Sequence, residues 1–347
     1  MPSVPAHSPF VTVVVPTRNR PAQVRECLTR LLALDYPSLE VVIVDNAPSS
    51  DATMEVVRSF DDRRVRYILD PRAGVSNARN RGIAAARGEI VAFVDDDVIT
   101  ERLWLRGLVG GFSAGPDVGG VCGLVLPQRL DVAAERWFDQ FGRFAKGFER
   151  RLFDRDGNRP TNKLFPYAVG TIGTGANAAF RVELLRRLGG FDIALGPGTP
   201  AAGGEDLDLL FRVIDTGTQV AFEPSACVFH SHPSEYEIVR SRAFTYGLGL
   251  GAYLTKCVVT KPGRLGGFLL RLPSGLQYLL HPRSAKNLPR AGDFPKELGW
   301  LELYGFLHGP VAYLRSRLAL RGAAARTCLD ANVSQQDRLP QDHSSSG

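Results

Sequence analysis

The sequence predicts an α/β fold, in which a mostly parallel sheet carries helices on both faces, followed by a C-terminal helical segment. Short apolar runs rich in β-branched residues, typical of buried strands, recur at residues 10–16, 39–44, 65–69 and 90–94. Helical periodicity fills the stretches between these runs, at residues 21–32, 50–60 and 75–86. Because strands and helices alternate with short connections, we expect neighbouring strands to run parallel.

The second half of the chain repeats these elements less regularly. Helical patterns occupy residues 101–112, 131–144, 182–188 and 205–216, and strand patterns residues 119–127, 219–223 and 227–229. From residue 238 onward, leucine-rich and aromatic segments such as 268–280 and 300–320 predict amphipathic helices. The predicted organisation is a flexible N-terminus (1–9), an α/β domain (10–237), a basic amphipathic helical segment (238–321) and a disordered tail (322–347).

The composition fits a folded protein with a substantial core. The 347 residues are 44% apolar and 22% charged, which excludes a wholly disordered chain. The long uncharged stretch at residues 164–180 contains Pro166 and three glycines, which is unlike a membrane-spanning helix. Residues 1–9 lack the basic start and apolar core of a secretory signal. The five scattered cysteines form no C-x-x-C pair, which predicts reduced thiols and a cytoplasmic location.

Charge is unevenly distributed along the chain. Residues 240–321 contain 13 Lys or Arg against 3 Asp or Glu, a balance of +10, so that the rest must sum to −4 within the total of +6. Such asymmetry indicates an anionic partner for the basic segment. No RNA-binding motif or zinc spacing supports nucleic acid. An anionic membrane surface, contacted peripherally at the inner face of the cell membrane, is the sharper hypothesis, and solvated arginines on helices packed against the domain are the alternative.

Polar side chains follow three of the predicted strands, at residues 17–19, at Asp45 and at the triplet 95–97. Ligands of parallel sheets bind beyond the carboxyl ends of the strands, so we expect these groups to converge. A carboxylate such as Asp45 suits an N–H donor on a base edge, and a carboxylate cluster suits a hard divalent cation that neutralises a pyrophosphate. A lone Asp after a strand is commonly a turn or cap residue, whereas three together repel one another unless a cation or arginine compensates. The pattern predicts a nucleotide-diphosphate site.

Five strings in order carry a family resemblance: VVVPTRNR, VVIVDNAPSSD, AGVSNARNRGIAAARGEIVAFVDDD, GTGANAAFR…LGGFD and GGEDLDLLFRV. Their order and spacing resemble the family 2 glycosyltransferases of the GT-A fold, a Rossmann-like α/β fold, over residues 11–232. The resemblance implies inverting transfer of a sugar from a nucleotide diphosphate donor to an acceptor hydroxyl in cell-envelope glycan or glycoconjugate synthesis. UDP is the expected nucleotide, and GDP and dTDP stay open. It also implies Mn²⁺ or Mg²⁺ as cofactor. The acceptor class stays open between a glycan, a lipid-linked saccharide and a small molecule.

The resemblance also implies roles on the donor side. Asp45 would accept a hydrogen bond from the base, Arg79 would lie near the base or the diphosphate, and Asp97 would ligate the metal directly. Asp95 would lie near both the ribose and the metal. The full set of nucleotide-binding residues implied in this way is Pro16, Thr17, Arg18, Asp45, Arg79, Asp95 and Asp96.

On the acceptor side, the resemblance places Glu205 and Asp206 in the family's acidic pair, with Asp206 as the general base. The alternative is that these acids only stabilise the first turn of a helix. The loop under the sugar and acceptor would be formed by Gly175, Ala176 and Asn177.

A third metal ligand is implied near the end of the matched region. His230 fits that position best, with His232 the less favoured substitute and a purely structural histidine as the alternative. A sugar nucleotidyltransferase is disfavoured, because the PTRNR string lacks the glycines that such enzymes carry after the first strand. A catalytically silent nucleotide- or glycan-binding module of the same fold remains the alternative function.

Overall fold

The computed structural model describes residues 8–336 apart from 282, 285, 289 and 291, with side chains described as far as residue 322. Most of the predicted flexible N-terminus and the end of the predicted tail therefore lie outside the described residues. The helices of this part of the chain are α1 Pro21–Leu32, α2 Ala52–Arg58, α3 Val75–Ala85, α4 Trp104–Gly111, α5 Ala133–Gly142, α6 Val182–Arg187, α7 Glu205–Asp215, α8 Tyr236–Thr260, α9 Leu265–Leu280 and α10 Lys296–Gln336.

One sheet organises the domain. Its strands are β1 Val11–Thr17, β2 Leu39–Asn46, β3 Val65–Asp70, β4 Ile90–Val94, β5 Val98–Thr100, β6 Val118–Pro127, β7 Arg151–Phe153, β8 Asn177–Arg181 and β9 Gln219–His230. Their order in the sheet is β3-β2-β1-β4-β8-β6-β9-β5, and β7 pairs with β9. The prediction of an α/β fold with C-terminal helices is confirmed.

Strand direction divides the sheet. The strands β1 to β4 pair in parallel, as the alternating sequence pattern predicts, and β6 pairs with β9 in parallel as well. The strand β8 was not predicted, and it runs antiparallel between β4 and β6. The two short strands predicted at 219–223 and 227–229 are one strand, β9. In its register with β6, Glu223 pairs with Gly123 and Cys227 pairs with the next residue, Leu124, so residues 224–226 are left unpaired with β6. Pro224 has no N–H to donate to the sheet.

Side chains of the central strands alternate between two apolar layers. In β1, Val13 and Val15 enter one buried cluster and Val14 enters the other, and all three are fully buried. Helices therefore cover both faces of the sheet, and the polar strand ends are left as the accessible edge.

The C-terminal helices α8 and α10 contact each other without intervening side chains. A Cβ on Gly247 of α8 would lie 1.9 Å from the Glu302 carbonyl oxygen, and one on Gly309 of α10 would lie 2.5 Å from the Ala252 nitrogen. These glycines are required by the close approach of the two backbones. The helix α10 runs to Gln336 and so extends into the segment 322–347, for which the sequence predicts disorder.

An ion cluster joins α8 to the α/β domain. The Lys256 ammonium lies 2.8 Å from the Asp192 carboxylate and 2.7 Å from that of Asp208 in α7. Burial alone would raise the pKa of Asp192, but the charge of Lys256 and its hydrogen bond outweigh burial and hold that pKa below its ordinary value. Across the described residues, no helix is long and apolar enough to cross a membrane.

Candidate active site

The carboxyl ends of β1, β2 and β4 lie side by side, which brings the polar strand ends together. Thr17 pairs with Asp45 in the register of β1 and β2. The Thr17 hydroxyl also donates a 2.7 Å hydrogen bond to Asp96, which follows β4. Three segments far apart in sequence therefore meet at one edge of the sheet, beyond the strand ends where parallel sheets bind ligands.

The three successive carboxylates occupy different environments. Asp96 is buried, and burial raises its pKa against the opposing Thr17 hydrogen bond and Arg20 charge. The outer side chains, Asp95 and Asp97, are each 34% exposed and face the cleft. Arg20 bonds Asp96 at 2.9 Å and Asp97 at 3.1 Å, so an arginine provides part of the compensation that three like charges require.

Asp45 carries a buried oxygen atom with no partner. Its Oδ2 accepts a 3.0 Å hydrogen bond from the Tyr67 hydroxyl, whereas its Oδ1 is buried without a hydrogen bond of regular geometry. The buried Thr53 hydroxyl also acts on this carboxyl and, like Tyr67, opposes the rise in its pKa. Burial raises the pKa of this carboxyl. An unpaired buried acceptor typically costs about 1–3 kcal/mol, which a ligand N–H donor would recover. Asp45 is fully buried beside the buried Pro16 and Thr17, so a base edge would contact its Oδ1 only after neighbouring side chains move aside.

Arg79 connects the carboxylates after β4 with the first turn of α7. Its guanidinium is buried and bonds Glu205 at 2.8 Å and Asp95 at 3.0 Å, and it lies over the Phe191 ring. Burial raises the pKa of Glu205, the neighbouring charge of Asp206 raises it further, and Arg79 opposes both. The structure thus places Arg79 between the two acidic motifs, where it holds them in a single cleft.

Asp206 is the accessible member of the acidic pair. Glu205 is buried against Arg79, whereas Asp206 is only partly buried. The Gly175 N–H donates a 3.0 Å hydrogen bond to one oxygen of Asp206, and the Leu207 N–H donates to the other at 2.8 Å. Both bonds orient the carboxylate. The residue before the pair, Gly204, has a φ of 84°, a left-handed conformation that favours glycine.

Of the three residues predicted to form the loop under the sugar, only Gly175 contacts the acidic pair. The Asn177 side chain is fully buried and bonds Trp104, Leu124 and Ala226 at 2.8, 2.9 and 2.8 Å. All of its polar atoms are engaged in tying strands to α4, so the side chain serves the fold. Ala176 is partly buried against the main apolar cluster.

The two histidines differ in their surroundings. His230 ends β9 opposite Val98 of β5, so it lies beside the strand that directly follows Asp97. His232 is buried and contacts Asp139 at 3.2 Å and His230 at 3.1 Å. Burial lowers the pKa of His230 against the charges of Asp97 and Asp95, which favours the neutral imidazole that metals bind. His230 is therefore the better placed of the two toward the carboxylates.

Three residues near the cleft were not predicted from the sequence as site residues. Arg20 lies in the PTRNR string, and the structure brings Arg20 to the carboxylates while Arg18 is exposed. Burial lowers the pKa of Lys146, in the turn after α5, to about 8, against the opposing charge of Asp206. Loss of hydration raises the pKa of the Tyr246 hydroxyl on α8, and the charges of Asp206 and Asp95 raise it further. Only Arg20 lies within a recognisable string.

The donors at this edge are carboxylate oxygens and an imidazole, which are suitable ligands for Mn²⁺ or Mg²⁺. Within the described ranges, no group of three His, Cys, Asp or Glu side chains is arranged so that it could hold a metal ion by itself.

The sheet topology and the cleft between the triplet and the acidic pair define a GT-A-like α/β protein with a polar site at the carboxyl ends of its parallel strands. Residues 12–189 match the sequence profile described as Glycosyl transferase family 2, and the chain belongs to that family. The resemblance stated from the five strings is therefore confirmed.

Two glycosyltransferases of known name align with more than two thirds of this chain. A pre-mycofactocin glycosyltransferase from Mycobacterium tuberculosis is 30% identical over 247 residues, which cover 71% of this chain and 47% of the relative. A glucosyl-dolichyl phosphate glucuronosyltransferase from Haloferax volcanii is 27% identical over 246 residues, 68% of this chain and 75% of the relative. The chain thus spans about half the length of the first of these relatives.

A solved structure has the same fold. A mannosyltransferase from Pyrobaculum calidifontis in complex with GDP-Man and Mn²⁺ superposes with a TM-score of 0.54 at 24% identity, covering 95% of this chain and 81% of the other. At this identity the likeness concerns the fold alone.

Proposed function

We propose that this protein is a metal-dependent inverting glycosyltransferase that moves a sugar from a nucleotide diphosphate donor to an acceptor hydroxyl. The observation that carries the proposal is the Arg79 bridge between Asp95 and Glu205, which holds the donor-side and acceptor-side motifs in one cleft. Inverting transfer needs no nucleophile from the enzyme. It needs a held donor, a screened leaving group and a base for the acceptor.

The donor base is proposed to bind at Asp45. Its unpartnered Oδ1 can accept from an imide or amide N–H, such as those of uracil and guanine. Thr17 and Pro16 would flank the base, and UDP is the expected nucleotide. GDP is the alternative, since the structural neighbour from Pyrobaculum calidifontis holds GDP-Man.

A divalent cation is proposed to bind between Asp97 and His230, with Asp95 beside it. The pairing of Val98 with His230 and the partly exposed carboxylates of Asp95 and Asp97 support this site. The Mn²⁺ in the structure from Pyrobaculum calidifontis supports it as well. When bound, such an ion supplies positive charge to the departing diphosphate. Arg20 donates a hydrogen bond to Asp97, and this bond would have to weaken or break when Asp97 binds the ion.

Asp206 is proposed as the general base. Its carboxylate is oriented by the Gly175 and Leu207 N–H groups, and it is only partly buried, whereas its neighbour Glu205 is buried. It would take the proton of the acceptor hydroxyl as that oxygen attacks the anomeric carbon in line with the leaving diphosphate. Such a base contributes about 10²–10⁴ to the rate. Glu205 acts through Arg79 as a positioning residue.

The acceptor is proposed to belong to glycan or glycoconjugate synthesis at the cell envelope. The relative from Haloferax volcanii, named for a dolichyl phosphate substrate, supports a lipid-linked acceptor. An acceptor outside the lipid-linked class is the alternative, since the relative from Mycobacterium tuberculosis is named for pre-mycofactocin. The cytoplasmic location stays a prediction.

A thermal-shift panel of UDP-, GDP- and dTDP-sugars with and without Mn²⁺ tests the proposal. We expect one nucleotide class to raise the melting temperature in a metal-dependent way, because ligands stabilise the state that binds them. Asp97→Ala should abolish the metal-dependent part, whereas the exposed-site control Asp131→Ala should keep it. The absence of a shift with every nucleotide sugar would contradict the proposal. A shift without sugar transfer to any acceptor would instead identify a silent binding module.

A further inference from the structure

The helix α10 exposes a continuous apolar stripe to solvent. Its members are spaced alternately four and three residues apart, so they share one face of the helix, and each is at least half exposed: Trp300, Tyr304, Leu307, Val311, Leu314 and Leu318. The opposite face is occupied, because Gly305 and Gly309 contact α8. The stripe is therefore the unpartnered side of a helix that is otherwise firmly packed.

The preceding helix has the same character. No residue of α9 is buried, and Leu270 is 82% exposed. Of the twenty exposed large apolar side chains in the described part of the chain, thirteen lie between Val259 and Leu318. Soluble surfaces rarely concentrate apolar side chains in this way, and such concentrations mark interaction sites.

Charge identifies the partner. Arg315 and Arg317 lie on the two sides of the apolar stripe, Arg321 follows one turn later, and all three are exposed. Arg317 also interacts with Tyr313 and with the charge of Asp192, so Arg315 and Arg321 are the freer two. Residues 240–321 as a whole carry a balance of +10. A parallel pairing of the stripe with a second copy would place arginine against arginine, whereas phosphate groups of lipid complement them.

We propose that the stripe of α10, together with α9, docks this protein on an anionic membrane surface, with α10 lying along the interface. The apolar side chains enter the acyl boundary and the arginines contact the lipid phosphates. The tyrosine and tryptophan at the start of the stripe suit the headgroup level, where aromatic side chains with a polar tip concentrate.

Docking in this way would seat the bilayer against the C-terminal helices, with α8 between α10 and the start of α7. The helix α8 contacts α10 on one side, and on the other its Gly249 contacts Gly203 and Gly204, which directly precede Glu205. A bilayer-anchored acceptor would therefore approach Asp206 from the side of these helices. This consequence rests on the proposed function, whereas the docking itself does not.

Vesicle flotation of the full chain tests the docking. Neutral phosphatidylcholine vesicles are compared with vesicles containing about a third phosphatidylglycerol. We expect binding to the anionic vesicles to be at least about tenfold stronger, because each arginine near an anionic surface contributes appreciably. Leu307→Gln/Leu314→Gln should weaken binding at least about tenfold, since two exposed leucines no longer enter the acyl boundary. The matched control Leu130→Gln, at an exposed leucine outside the segment, should bind as wild type does.

A second variant keeps the test independent of folding. Arg315→Gln/Arg317→Gln/Arg321→Gln retains the apolar stripe and should lose only the preference for anionic over neutral vesicles. Equal binding of wild type and both variants would overturn the proposal. So would light scattering that shows a dimer in wild type, broken by the leucine variant, with no vesicle binding. Nucleotide-sugar thermal shifts measured without vesicles report the proposed function separately.

Discussion

Arg79 and Glu205 lie 126 residues apart in sequence and are joined by a 2.8 Å hydrogen bond in the buried part of the cleft. The same guanidinium bonds Asp95 at 3.0 Å. One buried cation thus balances carboxylates from two motifs, and its removal would leave both without a counter-charge.

Arg79→Met should destabilise the protein strongly. Breaking a buried ion pair by removing one partner costs about 3–5 kcal/mol, because the remaining charge is buried without compensation. Urea denaturation at pH 7 measures the loss. The surface control Arg30→Met, which breaks a pair of exposed side chains with Glu26, should cost less than about 1 kcal/mol.

The double variant Arg79→Met/Glu205→Gln should recover part of that loss. The neutral amide that replaces the Glu205 carboxylate costs less to bury than a carboxylate without Arg79. The losses in unfolding free energy of the two single variants should therefore not be additive. Additive losses would show that the Arg79–Glu205 pair contributes nothing beyond its separate residues.

Asp206→Asn should separate binding from turnover. The amide oxygen can still accept the Gly175 N–H, so we expect the fold and the affinity for donor to be retained. Loss of the base should lower kcat by about 10²–10⁴. Steady-state transfer together with donor binding by calorimetry measures both quantities. A normal rate in this variant would reject Asp206 as the base.

Asp45→Asn should have opposite effects on stability and on nucleotide binding. Burial raises the pKa of this carboxyl, so a neutral amide should be easier to bury and the free protein should become slightly more stable. The amide can accept from Tyr67 through its oxygen, but it then presents an N–H₂ donor toward the base. Nucleotide binding should weaken by about 1–3 kcal/mol, measured by calorimetry. Unchanged affinity would place the base elsewhere.

Asp192→Asn should reveal a pH-dependent contribution to stability. The pKa of Asp192 is lowered in the folded protein, so its ion pair with Lys256 stabilises the fold above the unfolded-state pKa and is lost as the pH falls through the folded-state pKa. The variant should lose about 1.5–3 kcal/mol at pH 7. That difference from wild type should shrink below about pH 4. The exposed control Asp61→Asn should match wild type at both pH values, and a pH-independent difference would contradict this account.

The sequence predicted the fold class because buried parallel strands leave a strong local pattern. Asp45 and Asp95 were predictable as neighbours for the same reason, since carboxyl ends of parallel strands share one edge. The strand β8 was missed because its five residues follow a glycine-rich string and pair antiparallel with strands distant in sequence.

Side-chain partners in the site were less predictable. The sequence could not show that Arg79 would reach Glu205, or that Asn177 would turn into the sheet, because both depend on how separate elements pack. The choice of Arg20 over Arg18 at the carboxylates depends on the turn after β1, which the local pattern does not specify. The apolar stripe of α10 was predictable as an amphipathic helix, but which face would remain exposed depended on the glycine contacts with α8.

The contact between Gly249 and Gly204 has a mechanical consequence. A Cβ on Gly204 would lie 2.4 Å from the Gly249 oxygen, so main chain touches main chain and no flexible side chain separates them. A shift of α8 toward α7 would therefore push directly on the start of α7. The alignment of the acidic pair is therefore tied to the seating of the whole C-terminal helical layer.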